Sequence, residues 1–148
     1  MPALRTRALR MIAQREHSRA ELARKLAAHG EPDEIVSLLD ALAADGYLSD
    51  TRYAESYVAA RASRLGDLRL AHELEQRGVN AEAIEQALAS TESETARLKK
   101  IWQSRFGKPP GDRTEWARQA RFLQARGFTH DRIRALLRDP ASAEDEAQ

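Results

Sequence analysis

Two tyrosines lie one helical turn apart in the stretch LSDTRYAESYVAARASR, and three arginines surround them. A helix would place Tyr53 and Tyr57 on one face, close to Arg52, Arg61 and Arg64. Phenol groups beside guanidinium groups suit catalysis, stacking on a nucleic-acid base or packing at the edge of a core. The sequence provides no convincing catalytic site for a tyrosine. We favour packing, and the binding of a base or a protein partner stays open.

Other residues that could do chemistry are scattered along the chain. The four histidines, at positions 17, 29, 72 and 130, form neither an H-x3-H pair nor an H-E-x-x-H motif. The chain contains no cysteine, which excludes disulfides and thiolate metal sites. It also lacks a phosphate-binding glycine loop and a nucleophile elbow. We therefore predict a protein that is not an enzyme and that uses no metal and no cofactor.

Charge is strongly segregated along a chain whose net charge is only +1. Residues 31–50 contain six acidic side chains and no basic one, whereas residues 95–139 contain twelve basic and four acidic ones. A basic segment in a nearly neutral protein indicates a polyanion or an acidic protein surface as the partner. The alternative is a solvated, arginine-rich helical surface, and charge alone does not separate the two.

Basic side chains and one tyrosine form the candidate set for binding a partner or DNA. The set comprises Arg52, Tyr53, Arg61, Arg64, Arg77, Lys99, Lys100, Arg118, Arg121 and Arg126. The cations of the basic segment make no single helical stripe, which argues against one helix that reads a DNA groove. Phosphate contacts need only clustered cations, and such binding is independent of sequence and sensitive to salt. The scarce aromatic residues of that segment are predicted to be core: Trp102, Phe106, Trp116 and Phe122.

An internal repeat supplies the helices that carry these side chains. The pattern L-x3-G-x5-I-x3-L occurs at residues 74–88 and 123–137, and a copy one residue shorter occurs at 26–39. In each copy the glycine separates two amphipathic segments, at the point where a left-handed residue ends a helix. Capping-box spacing, a polar N-cap followed three residues later by Glu, begins at Ser18, Thr91 and Asp112.

Apolar spacing and cap residues together predict nine helices and no strand. The helices are expected at residues 3–16, 19–29, 33–45, 51–64, 68–77, 81–89, 92–105, 113–126 and 130–138. The predicted fold class is all-α, with three tandem three-helix repeats stacked into an elongated, curved array. The repeats are expected at residues 1–50, 51–90 and 91–139, followed by a disordered acidic tail at 140–148.

The location of the protein is predicted from what its sequence lacks. No apolar run approaches the roughly 20 residues that span a bilayer. The arginine-rich N-terminus shows no secretory signal. We expect a cytoplasmic monomer with no membrane partner.

Three segments resemble the RecX family of recombinase regulators. GYLSDTRYAESYV, GDLRLAHELEQRGVNAEAIEQAL and RQARFLQARGFTHDRIRALL are similar to stretches of that family's repeats, and the resemblance covers about residues 4–138. It implies a bacterial protein of three tandem three-helix repeats without enzymatic activity. It also implies a modulator that lodges in the groove of the RecA filament on single-stranded DNA. Such a modulator restrains ATP hydrolysis, strand exchange and filament growth, in DNA repair and the SOS response.

The sequence departs from the family pattern in the first repeat. Glu31 stands where the other repeats have the apolar residues Val79 and Phe128, and Ser49 stands where an acid is common. Serine caps helices about as well as an acid, so the second change should have little consequence. A different interpretation stays open, in which the chain is a stand-alone helical protein that shields nucleic acid, independent of sequence, without contacting RecA.

Overall fold

The computed structural model describes residues 3–140, and this range folds into nine α-helices with no strand. In chain order the helices are α1 (Leu4–Gln14), α2 (Arg19–Leu26), α3 (Pro32–Ala44), α4 (Asp50–Arg61), α5 (Asp67–Gln76), α6 (Ala81–Ala89), α7 (Glu94–Arg105), α8 (Arg113–Ala125) and α9 (His130–Arg138). The all-α prediction is confirmed, and the helices begin and end close to their expected limits. The predicted acidic tail, apart from Pro140, lies outside the described residues.

The chain divides into two compact units. Unit 1 comprises the residues up to Tyr57 together with Leu74–Ala87, and unit 2 comprises Val58–Glu73 together with the residues from Leu88 onward. Unit 1 therefore holds α1, α2, α3 and most of α6, whereas unit 2 holds α7, α8 and α9. The helices α4 and α5 each contribute residues to both units.

The core of unit 1 comes from one apolar stripe on each of its first three helices. Its buried side chains are Ala8, Leu22, Leu26, Ile35, Leu39, Leu42 and Leu48. Ile35, Leu39 and Leu42 repeat at the spacing of one helix face, which is the face that α3 buries. The acidic side chains of α3 are exposed and lie away from the core. Burial of each such leucine stabilises the fold by about 1.5–3 kcal/mol relative to exposure.

The core of unit 2 is richer in aromatic residues. Leu98, Trp102, Ala120, Leu123, Phe128, Ile133, Leu136 and Leu137 are buried in it. Phe106, Trp116 and Phe122 are partly buried and pack against that cluster. The prediction that these aromatic rings belong to the core is therefore confirmed. Phe122 has a second role that the prediction did not include, because this residue also lines a surface cleft.

Two of the three repeat glycines have the predicted left-handed conformation. Gly78 and Gly127 have φ values of 82° and 97°. The same prediction is wrong for Gly30, which is not among the residues with positive φ. The reason is that α2 ends early, and a tight turn with His29 N–H donating to the Leu26 carbonyl at 2.9 Å carries the chain to Gly30.

Helix caps follow the sequence closely, with one exception. The side chains of Ser18, Asp112 and Thr129 each accept a hydrogen bond from a backbone N–H in the first turn of their helix. The predicted N-cap at Thr91 is wrong, because α7 begins two residues later than expected. Ser93 is its N-cap and accepts from the Ala96 N–H at 3.2 Å.

Candidate nucleic-acid interface

The two tyrosines of the opening stretch are packed inside unit 1. Ser49 caps α4 by accepting from the Arg52 N–H at 3.1 Å, which places Leu48 and Tyr53 at the two ends of a hydrophobic staple. Leu48 and Tyr53 are only 5% and 6% exposed. The ring centroids of Tyr53 and Tyr57 lie 6.2 Å apart. These rings serve packing, the role that the sequence favoured.

The remaining candidates in unit 1 already have partners. Arg52 donates from Nε to Glu16 at 3.0 Å. The Arg77 guanidinium lies 4.9 Å from the centroid of the Tyr57 ring and reaches the Tyr53 hydroxyl at 3.5 Å. Burial lowers the pKa of Arg77, but hydrogen bonds with the two tyrosines outweigh it and leave the pKa raised. Arg77 is therefore anchored to the aromatic pair.

The candidates on α7 and α8 differ in how available they are. Lys99 is buried, whereas the neighbouring Lys100 is exposed and pairs with Glu92 at 2.9 Å. Arg118 pairs with Glu115 at 2.8 Å and lies 5.2 Å from the centroid of the Phe106 ring. The hydrogen bond from Arg118 holds the pKa of the Glu115 carboxyl at about 2. Lys100 lines the cleft described next, whereas Lys99 and Arg118 are not among its lining residues.

A cleft in unit 2 collects three of the predicted cations. It has a volume of about 440 Å³ and lies between the turn after α4, the C-terminal half of α7 and the end of α8. Its lining residues are Ser63, Arg64, Lys100, Ile101, Ser104, Arg105, Phe122 and Arg126. We call this site the basic cleft. Of the other candidates, Arg61 is half-buried and Arg121 is exposed, and neither lines it.

One aromatic ring organises the basic cleft. The guanidinium carbons of Arg105 and Arg126 lie 5.0 Å and 4.9 Å from the centroid of Phe122. Phe106 supports the same ring from the core side with an edge-to-face contact at 5.5 Å. The negative face of an aromatic ring attracts a guanidinium group and fixes its plane. Phe122 therefore holds two arginines that come from different helix ends.

The cations of the basic cleft are largely uncompensated. Within residues 3–140, Arg64, Arg105 and Arg126 have no acidic side chain at ion-pair distance. Lys100 shares its charge with Glu92, and both side chains are exposed to solvent. Like charges in a small volume repel one another and create a positive potential that attracts anions. The arrangement is therefore suited to binding an anion such as a phosphate or a carboxylate.

Sequence reasoning missed one buried ion pair and five of the eight residues that line this cleft, namely Ser63, Ile101, Ser104, Arg105 and Phe122. Arg105 and Phe122 were counted only as a charge in the basic segment and as a core ring. Arg97 is 3% exposed and donates to Asp67 at 3.1 Å. The sequence did offer a signal for Arg97. This charged residue precedes apolar core residues at helical spacing and therefore lies on the buried side of α7.

The ion pair of Arg97 belongs to a network that fixes the first turn of α7 in unit 2. The Glu94 carboxylate accepts from the Asp67 N–H and from Arg132, both at 2.6 Å. Burial raises the pKa of Glu94 above its usual range, although these hydrogen bonds oppose the shift. The network ties the start of α5 and the start of α9 to α7, which is the helix that carries one wall of the basic cleft.

Among the described residues there is no group of three or more His, Asp or Glu side chains that could hold a metal ion. No helix in this range is long and apolar enough to cross a membrane.

Family comparisons match three consecutive parts of the chain. The first, second and third three-helix domains of RecX match residues 5–37, 49–88 and 92–137. The regulatory protein RecX of Leptothrix cholodnii is 50% identical over 137 residues, which cover 91% of this chain and 87% of the relative. That of Ralstonia nicotianae is 47% identical over 136 residues, which cover 90% and 86%.

Solved structures show the same fold. The crystal structure of RecX from Lactobacillus salivarius superposes with a TM-score of 0.79 at 21% identity and covers 92% of this chain and 93% of its own. A second crystal structure of a regulatory protein RecX gives a TM-score of 0.72, also at 21% identity, and covers 92% of this chain and 70% of its own.

Proposed function

This chain belongs to the RecX family of regulatory proteins, and from that premise we propose that it is a non-enzymatic regulator of RecA recombinase. The proposed mode of action is binding in the groove of the RecA filament on single-stranded DNA. A protein bound there restrains ATP hydrolysis, strand exchange and filament growth. Family membership is the observation that carries the proposal.

The charge distribution supports such a partner. A filament on DNA presents both protein surface and phosphate, and the chain has a basic segment and an acidic segment to meet them. Complementary charges steer association and restrict it to the right partner. A regulator of this kind needs no reaction chemistry. It shifts the equilibrium between an active and an inactive state of the filament, because it binds one state more tightly than the other.

Co-sedimentation tests the proposal. RecA filaments are assembled on single-stranded DNA with a non-hydrolysable ATP analogue and pelleted with this protein. The expected result is that the protein pellets with the filaments far more than with the same amount of DNA alone. Equal pelleting in both samples would contradict binding to the filament.

A second candidate function follows from the basic cleft. The uncompensated arginines there favour a stand-alone nucleic-acid-binding protein that shields DNA without contacting RecA. Pull-down of RecA in the absence of DNA separates the two functions, since only the regulator retains RecA.

The organisation of the protein stays a prediction. We propose that residues 1–50, 51–90 and 91–139 act as three repeats within a cytoplasmic monomer. Sedimentation velocity of the purified protein tests the monomer, for which a single species at the monomer mass is expected over a wide concentration range.

A further inference from the structure

We infer that the basic cleft binds backbone phosphates of a single-stranded nucleic acid, and that Phe122 is the positioning residue that holds Arg105 and Arg126 ready for them. The inference deepens the proposed function, on which it rests, because it assigns a DNA contact to one site on the regulator. It also adds Arg105 and Phe122, which the basic pattern of the sequence did not single out.

The donors of the cleft fit a phosphate group. Arg105 and Arg126 present planar forks of N–H donors that match phosphate oxygens, and Lys100 adds an ammonium group. The hydroxyl groups of Ser63 and Ser104 also line the cleft and can donate to the same oxygens. No acidic side chain is among the lining residues, and Glu92 offsets the charge of Lys100 from outside the lining, so the three arginines carry most of the attraction for an entering anion.

Contact with Phe122 restricts the two arginines before any ligand arrives. A long arginine side chain loses up to about 2 kcal/mol of rotamer entropy when it is immobilised on binding. Contact with the Phe122 ring, at 4.9 Å and 5.0 Å from its centroid, removes part of that loss in advance. Arg118 provides the contrast, because its charge is already engaged by Glu115 at 2.8 Å.

The lining of the cleft favours nucleic acid over a protein partner. Protein interfaces draw most of their binding energy from a few anchor side chains in well-packed, desolvated pockets. Here Phe122 already lies against two guanidinium groups, which leaves Ile101 as the other large apolar side chain in the lining. A polynucleotide needs no such pocket, because it brings a charge with every nucleotide and its bases can stack on guanidinium planes.

Fluorescence anisotropy of a labelled oligothymidylate, titrated with the full chain in the absence of RecA, tests this inference. The test variant is Arg105→Gln/Arg126→Gln. The matched control is Arg134→Gln/Arg138→Gln, which removes the same charge from exposed positions of α9 in the same unit. Loss of two phosphate contacts should weaken binding about tenfold or more and reduce the slope of log K against log salt by about 1.4. The control should bind nearly as the parent protein does.

The positioning role of Phe122 needs variants that keep the charge. Phe122→Leu should weaken oligothymidylate binding about threefold to tenfold while the salt slope stays close to that of the parent, because all cations remain. Circular dichroism checks its fold. Arg105→Lys/Arg126→Lys covers the case in which Phe122→Leu fails to fold, since it keeps the charge and removes the planar groups. Unchanged affinity in the folded variant would overturn the positioning role.

Three results would overturn the phosphate site. Equal weakening of the cleft variant and the control variant would mean that only overall charge matters. No weakening of the cleft variant would mean that nucleic acid binds elsewhere. Binding of a labelled polyglutamate peptide that depends on the cleft, with oligothymidylate binding unaffected, would assign the cleft to an acidic protein. None of these results bears on whether the chain regulates RecA, because RecA is absent from the assay.

Discussion

The guanidinium carbon of Arg126 lies 4.9 Å from the centroid of the Phe122 ring, four residues earlier in the chain. The contact joins the last turn of α8 to the residue that follows it, just before the left-handed Gly127 ends the helix. Gly127 therefore determines where the chain turns, and Arg126, the residue before it, lines the basic cleft. Helix termination and the candidate binding site are in this way coupled through adjacent residues.

Arg97→Ala should destabilise unit 2 severely. Removing the buried guanidinium leaves the half-buried Asp67 carboxylate without its main partner, in a network that also includes the buried Glu94 carboxylate. We expect a loss of about 3 kcal/mol in the free energy of unfolding, measured by urea denaturation. Arg5→Ala is the control, since its exposed pair with Asp45 at 3.5 Å should contribute only about 0–1 kcal/mol. Similar losses in the two variants would contradict a special role for the buried pair.

Gly127→Ala should be far more costly than Gly30→Ala. Gly127 has a φ of 97°, and an added Cβ would collide with the backbone and Cβ of Arg69. We expect a loss of about 2 kcal/mol or more, from left-handed strain together with the clash. At Gly30 an added Cβ would meet the tip of the Leu4 side chain at 3.0 Å, which can move. Thermal unfolding of both variants tests this order, and an equal drop in melting temperature would refute it.

Stability should fall in acid through the carboxyl of Glu21. The hydrogen bond from Arg15 holds the pKa of Glu21 at about 2, below its usual value of 4.5. A lowered pKa stabilises the folded state above pH 4.5, and that contribution is lost as the pH falls from 4.5 toward 2. Glu21→Gln should remove on the order of 1–2 kcal/mol of this pH dependence, once solvent screening is allowed for. Unfolding curves at pH 6 and pH 3 measure it, and identical pH dependence in parent and variant would rule it out.

Arg118→Glu/Arg121→Glu should weaken the inhibition of RecA. Both positions are exposed on α8, and reversing their charge would repel an anionic partner surface. We expect at least a severalfold increase in the concentration needed for half-maximal inhibition of ATP hydrolysis. Arg134→Glu/Arg138→Glu, on α9, is the matched charge reversal. Unchanged potency of the α8 variant, with its fold intact, would remove that surface from the account.

Local sequence determines the helices of this protein more fully than it determines the site. Cap residues such as Ser18, Asp112 and Thr129 act within one turn, so their positions predicted where helices begin. Tyr53 could be assigned to packing because the staple partner Leu48 is also local. Gly30 was mispredicted because the shorter first repeat ends α2 by a different turn, which its repeat position does not reveal.

The basic cleft could not be predicted because its parts are distant in sequence. Arg105 ends α7 and Phe122 lies on α8, and they meet only when the two helices pack in unit 2. The charge pattern of the sequence named Arg64, Lys100 and Arg126 as candidates, and these three line the basic cleft, where their role in binding stays a prediction. It could not show that Arg118 is engaged by Glu115 whereas Arg105 has no acidic partner among the described residues.

DNA-dependent ATP hydrolysis by RecA, titrated with this protein below one-to-one ratios, tests the central claim most directly. Each titration is repeated with single-stranded DNA in excess. The account predicts inhibition well below stoichiometric amounts that extra DNA does not relieve, because one bound regulator affects a whole filament. Inhibition that follows the amount of uncoated DNA and disappears when DNA is in excess would contradict filament targeting and leave DNA shielding as the function.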